Sequence, residues 1–104
     1  MCEFLLYTNP NQKEPFTEWL KTLDQKTKNR VFNRILRIQS GNLGDYKSVG
    51  DGVFELILFF DGGLSVYFGR DENKIIVLLC GGDKSAQRQD IKTAKKYWSL
   101  YQNA

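Results

Sequence analysis

The chain contains no histidine. The side chain that most often moves protons near neutral pH and most often holds transition metals is therefore missing, so any catalysis must use other groups. Two cysteines, Cys2 and Cys80, are too few and too differently placed for a disulfide framework or a zinc site, and both read as structural thiols. No apolar run reaches the ~20 residues that span a bilayer. The start, Met1-Cys2-Glu3-Phe4, lacks the basic and apolar regions of a signal peptide, so a cytoplasmic protein without membrane contact is expected. Walker loops, HExxH, GxSxG and paired-cysteine motifs are all absent from the sequence, which implies no cofactor and no metal. Neither charge sign dominates, the net charge being +3, so the overall balance permits nucleic-acid binding without arguing for it.

What is present is an ordinary globular composition, with 41% hydrophobic and 26% charged residues in 104, enough for one domain over 1–104 with a modest core. Phe4-Leu5-Leu6-Tyr7 reads as a strand closed by the turn formers Thr8-Asn9-Pro10-Asn11. From Pro15, a first-turn residue, Phe16, Trp19, Leu20 and Leu23 recur at helical spacing. Asp24 is a candidate cap for a second helix whose buried arc is Val31, Phe32, Ile35, Leu36 and Ile38, stopped by Gly41. These two helices are expected to form a hairpin. Residues 41–52 are rich in glycine and turn formers and read as a functional loop. Val53–Phe60 and Leu64–Gly69 are strand-like runs joined at Asp61-Gly62-Gly63, and Arg70-Asp71-Glu72-Asn73 is a second turn. Lys74–Cys80 has no polar alternation in Ile75-Ile76-Val77-Leu78-Leu79, which predicts a central strand covered on both faces and ended by Gly81-Gly82. Asp83 or Ser85 can cap a last helix with Ile91, Ala94, Trp98 and Tyr101 on its apolar face. The predicted order is β-α-α-β-β-β-α, an α+β fold with an antiparallel sheet, an N-terminal helical hairpin and a C-terminal helix.

The cations are concentrated. On the second helix Lys26, Arg30, Arg34 and Arg37 project within about an 80° arc away from the apolar side. Along the last, Lys84, Arg88, Lys92 and Lys95 repeat at i, i+4, i+8 and i+11. One such stripe is most often a solvated face. Two of them, with Glu14, Glu18, Asp24 and Asp90 lying outside both, favour phosphate or a strongly acidic partner. Tyr46, Tyr67, Phe68 and Trp98 are candidates to stack bases, against the ordinary reading of strand and helix aromatics as core.

Four segments occur in order: Phe16-x-x-Trp19-Leu20-x-x-Leu23, the run from Ser40 through Gly52 to Leu56, Val66-Tyr67-Phe68-Gly69, and Leu79-Cys80-Gly81-Gly82-Asp83-Lys84-Ser85-Ala86-Gln87. Together they resemble the RelE/ParE superfamily of bacterial toxins, and within it the HigB-like branch of addiction module killer proteins. The resemblance implies a RelE-like fold and the toxin of a type II toxin–antitoxin system. It further implies metal-independent cleavage of messenger RNA in the ribosome, gyrase poisoning being the habit of the ParE branch. The partners so implied are a helix-turn-helix antitoxin, the ribosome with its message, and operator DNA reached through the antitoxin. By position in the family's motif, Lys84 is the residue facing the scissile phosphate, with Lys47, Tyr67, Arg70 and Arg88 as supports for charge or proton transfer. The chain departs from the family's pattern at Ile57 and Ser65, where relatives commonly carry arginine. The alternative to a nuclease is accordingly a catalytically weak or inactive module of the same fold that binds an antitoxin and acts as co-repressor.

Overall fold

The structure is a computed structural model that describes residues 3–40, 46–72 and 74–103. Nine elements follow in order among the described residues: β1 (Glu3–Leu6), α1 (Pro15–Leu20), α2 (Gln25–Gln39), β2 (Tyr46–Gly50), β3 (Val53–Leu58), β4 (Leu64–Asp71), β5 (Ile75–Asp83), a 3-10 turn (Lys84–Ala86) and α3 (Gln87–Gln102). The class is α+β. The strands form one sheet in the order β1-β5-β4-β3-β2.

Strand periodicity builds the two faces. In β4, Val66 and Phe68 join Phe16, Leu20, Val31, Ile35 and Ile38 of α1 and α2, whereas Tyr67 between them joins Ala94 and Trp98 of α3. The sheet is thereby covered on both sides, which is why β5 needs no polar alternation. A bulge shifts the β4–β5 register between Tyr67 and Phe68, so Leu79 and Cys80, although adjacent, both lie in the α3-side core. Pro15 does open α1, and the Asp24 side chain does cap α2 by accepting a 2.8 Å bond from the Thr27 N–H.

Five readings of the sequence are corrected. Part of the segment taken for a loop is a strand: β2 pairs antiparallel with β3, Tyr46 opposite Leu56 and Lys47 opposite Glu55, so the sheet has one strand more than predicted. The sheet is not wholly antiparallel, because β1 pairs parallel with β5 on the far edge. Gly81 and Gly82 do not end β5, which runs through them to Asp83. They serve close packing instead: a Cβ at Gly81 would lie 2.3 Å from the Trp19 ring, and one at Gly82 would lie 1.9 Å from the Asp90 carboxylate. Phe32 and Leu36 of α2 are 45% and 56% exposed, because the apolar arc of α2 is wider than the face the sheet covers. Lys84 stands on the 3-10 turn that Asp83 caps, and α3 itself has no side-chain cap. The readings placed on Cys2, Gly41–Asp45 and Asn73, including the stop of α2 at Gly41, lie outside the described residues.

Candidate functional site

Register sets the site. Glu55 and Ile57 of β3 stand opposite Tyr67 and Ser65 of β4, and all four lie on alternate positions that share the α3 face. β2 brings Lys47 opposite Glu55, and the turn after β5 brings in Lys84 and Gln87. All of these but the buried Tyr67 line a cleft of about 340 Å³, which carries Lys47, Lys84, Glu55, Ser65 and Gln87, with Ile57 and Phe59 on the remaining side.

Glu55 is the hub. Its side chain has no solvent exposure, and its Oε2 accepts hydrogen bonds from Ser65 Oγ at 2.5 Å and Gln87 Nε2 at 2.8 Å. The Tyr67 hydroxyl donates more weakly at 3.4 Å. Lys47 Nζ stands 3.8 Å from Oε1, an ion pair in which the lysine is half in solvent. A buried carboxylate is tolerated only with such partners, and here they come from three elements that the chain must bring together. Burial, and then the Glu55 charge, push the Tyr67 hydroxyl far above the usual phenol range, so it remains a neutral donor. Burial likewise pushes the Cys80 thiol up to about 12, with Asp90 adding to the shift. The cleft can thus offer two primary amines to an anion, one of them held by a carboxylate.

The other residues singled out from sequence divide into groups. Tyr67 and Trp98 lie in the α3-side core and Phe68 in the core on the other face of the sheet, so none of these three rings is presented for stacking; Tyr46 is partly exposed. Arg70 is not brought to Lys84: it lines a separate cleft with Trp98, Tyr101 and Gln102 at the far end of α3, about 20 Å along the helix from Gln87. Arg88 is exposed on the first turn of α3. On α2, Lys26, Arg30 and Arg37 are exposed and Arg34 is half-buried. Arg30, Arg34 and Arg37 line a second cleft of about 340 Å³ that also reaches Ile57 and Phe59. Lys92 is exposed, but Lys95 is paired with Asp51 of the β2–β3 turn at 3.6 Å, so the α3 stripe does meet an acid, supplied from elsewhere in the chain. Sequence reasoning missed Glu55, Gln87 and Phe59. The signal for Glu55 was an acid on an otherwise apolar strand, Val53 to Leu58.

No family model matches the chain. Over 81 residues, which are 77% of this chain and 82% of the relative, it is 47% identical to a protein of Haemophilus influenzae (strain ATCC 51907 / DSM 11121 / KW20 / Rd) described as an uncharacterized protein. The two proteins belong to one family. That relative's description assigns no reaction to the family, so the chemistry rests on the cleft. No helix among the described residues is long and apolar enough to cross a membrane.

Proposed function

We propose that this chain is the toxin of a type II toxin–antitoxin pair and that it cuts messenger RNA on the ribosome in the cleft between Lys47 and Lys84. The observation that carries the proposal is that these two lysines, 37 positions apart in sequence, line one cleft together with positions 57 and 65. The RelE/ParE resemblance assigns all four to the active site, together with Tyr67, Arg70 and Arg88, which do not line this cleft. The fold is read accordingly as RelE-like, with β2 through β5 as its meander. Its partners are a helix-turn-helix antitoxin, which tethers it to operator DNA, and the translating ribosome.

In the proposed reaction the 2′ oxygen attacks the adjacent phosphorus while its proton passes to water in the open cleft. The P–O5′ bond then breaks, leaving a 2′,3′-cyclic phosphate and a 5′-hydroxyl. Lys84 stabilises the charge that accumulates on the pentacoordinate phosphate, and Lys47, oriented by Glu55, gives a proton to the departing 5′ oxygen. No histidine or metal is required. Induction of the chain without an antitoxin should arrest growth and create new 5′ ends within translated messages, and K84A should do neither. Normal growth with unaltered messages under wild-type induction would overturn the proposal.

A second reading has a specific observation behind it. The Ser65 hydroxyl is spent on Glu55 and Ile57 is apolar, so the cleft holds two cations where the family's pattern would add two arginines. On this reading the chain binds its antitoxin and represses its operon without cutting RNA. The double variant I57R/S65R would then gain a toxicity the natural chain lacks, whereas equal toxicity of both would reject it.

A further inference from the structure

Two clefts meet at the tip of the β3–β4 hairpin. One holds Lys47 and Lys84; the other lies between α2 and the hairpin and carries Arg30, Arg34, Arg37 and Asn33. Ile57 and Phe59 line both, so Phe59 stands on the divide between them. The last β2 pairing is Tyr46 with Leu56, which leaves the β3 edge beyond Leu56 without a partner strand among the described residues.

Phe59 is 76% exposed, more than any other large hydrophobic residue among the described residues. Its neighbour Phe60 is treated differently, for the Arg30 guanidinium lies 4.1 Å over that ring. Among the described residues no acid lines the α2 cleft, and Asp61, the acid nearest Phe59 in sequence, accepts a hydrogen bond from the Thr27 hydroxyl. An open aromatic face beside the guanidinium groups of Arg30 and Arg37, with no carboxylate among the described residues lining the cleft, matches single-stranded nucleic acid, which offers both a stackable base and flanking phosphates. A duplex does not fit, because its bases are already stacked.

We propose that Phe59, Arg30 and Arg37 form a subsite for single-stranded RNA. An unpaired base stacks on Phe59, its flanking phosphates meet Arg30 and Arg37, and the strand continues over Ile57 into the cleft of Lys47 and Lys84. The choice of RNA rests on the nuclease reading, but the subsite is tested by binding alone.

The probe is a fluorescent single-stranded 2′-O-methyl RNA oligonucleotide, which lacks the attacking hydroxyl and is not cut. Its affinity is measured against the full chain over a range of salt. F59A and F59L should each weaken binding about tenfold or more, while F59W should retain it. R30A/R37A should reduce the slope of log affinity against log salt by about 1.4, the share of two phosphate contacts on a single strand, and F59A should leave the slope unchanged. Wild-type affinity in F59L, an unchanged slope in R30A/R37A, or equal affinity for a duplex of the same length would overturn the subsite. Since the probe cannot be cleaved, failure of the nuclease reading does not alter this result, and failure here leaves that reading standing.

Discussion

Glu55 draws Ser65, Gln87, Tyr67 and Lys47 toward one buried carboxylate, and these partners carry unequal weight. Gln87 reaches it from α3 across the sheet face, and a hydrogen bond to a charged acceptor contributes about 1.5–3 kcal/mol. Q87A should therefore lower the unfolding free energy by about that much in a urea titration. Tyr67 makes only the 3.4 Å bond and is sealed inside, so Y67F should change RNA cleavage by less than about threefold, where loss of a general acid or base would cost 10²-fold or more. Alkali supplies a second test. The Cys80 thiol is pushed up to about 12 in the folded protein, and Tyr67 is also raised by burial. Both lose their protons more readily in the unfolded chain, near pH ~8.5 and ~10. Because the unfolded state then binds fewer protons, stability is intact below pH ~8.5 and falls as the pH rises from there toward 12. Melting curves should show that fall, and a C80A variant should show a shallower one.

At the scale of elements, the glycines separate two mechanisms. At Gly62, φ is +78° in the β3–β4 turn and nothing lies within 4 Å of where a Cβ would stand, so G62A should cost only backbone strain, on the order of 1 kcal/mol. Gly81 has ordinary strand geometry but a Cβ there would lie 2.3 Å from Trp19, so G81A must displace α1 from β5 and should cost more than G62A by thermal melting. The sequence signals both as turn glycines, since local composition reports a need for positive φ and says nothing of a ring arriving from another element. The same limit explains the other differences. Pro15, Asp24 and the Asp61-Gly62-Gly63 turn act locally and were legible. β2 was hidden because Tyr46 to Gly50 carries turn-forming residues and becomes a strand only by pairing with β3. Lys47 and Lys84 were legible through the family resemblance, whereas Glu55 and Gln87 became visible as a pair only with the register and the path of α3.

Among the described residues, helices on both faces leave the cleft at the end of the sheet where β2 pairs no further than Tyr46 with Leu56, the turn after β5 begins α3, and the β3–β4 hairpin reaches toward α2. Substrate-sized depth comes from that convergence, since a domain of this length has little room for an enclosed cavity. Cationic groups of α2, β2 and the β5–α3 turn meet there, while Arg70 and Lys95 belong to the opposite end of α3. In the proposed reaction Lys84 acts on a phosphate within RNA. Purified chain should therefore be added to ribosomes carrying an end-labelled message with an empty A site, alongside K84A at equal concentration. The expected result is cleavage in the A-site codon with a 2′,3′-cyclic phosphate end, slowed about 10²-fold or more by K84A; an intact message with stoichiometric wild-type protein, or equal rates for the two proteins, would contradict it.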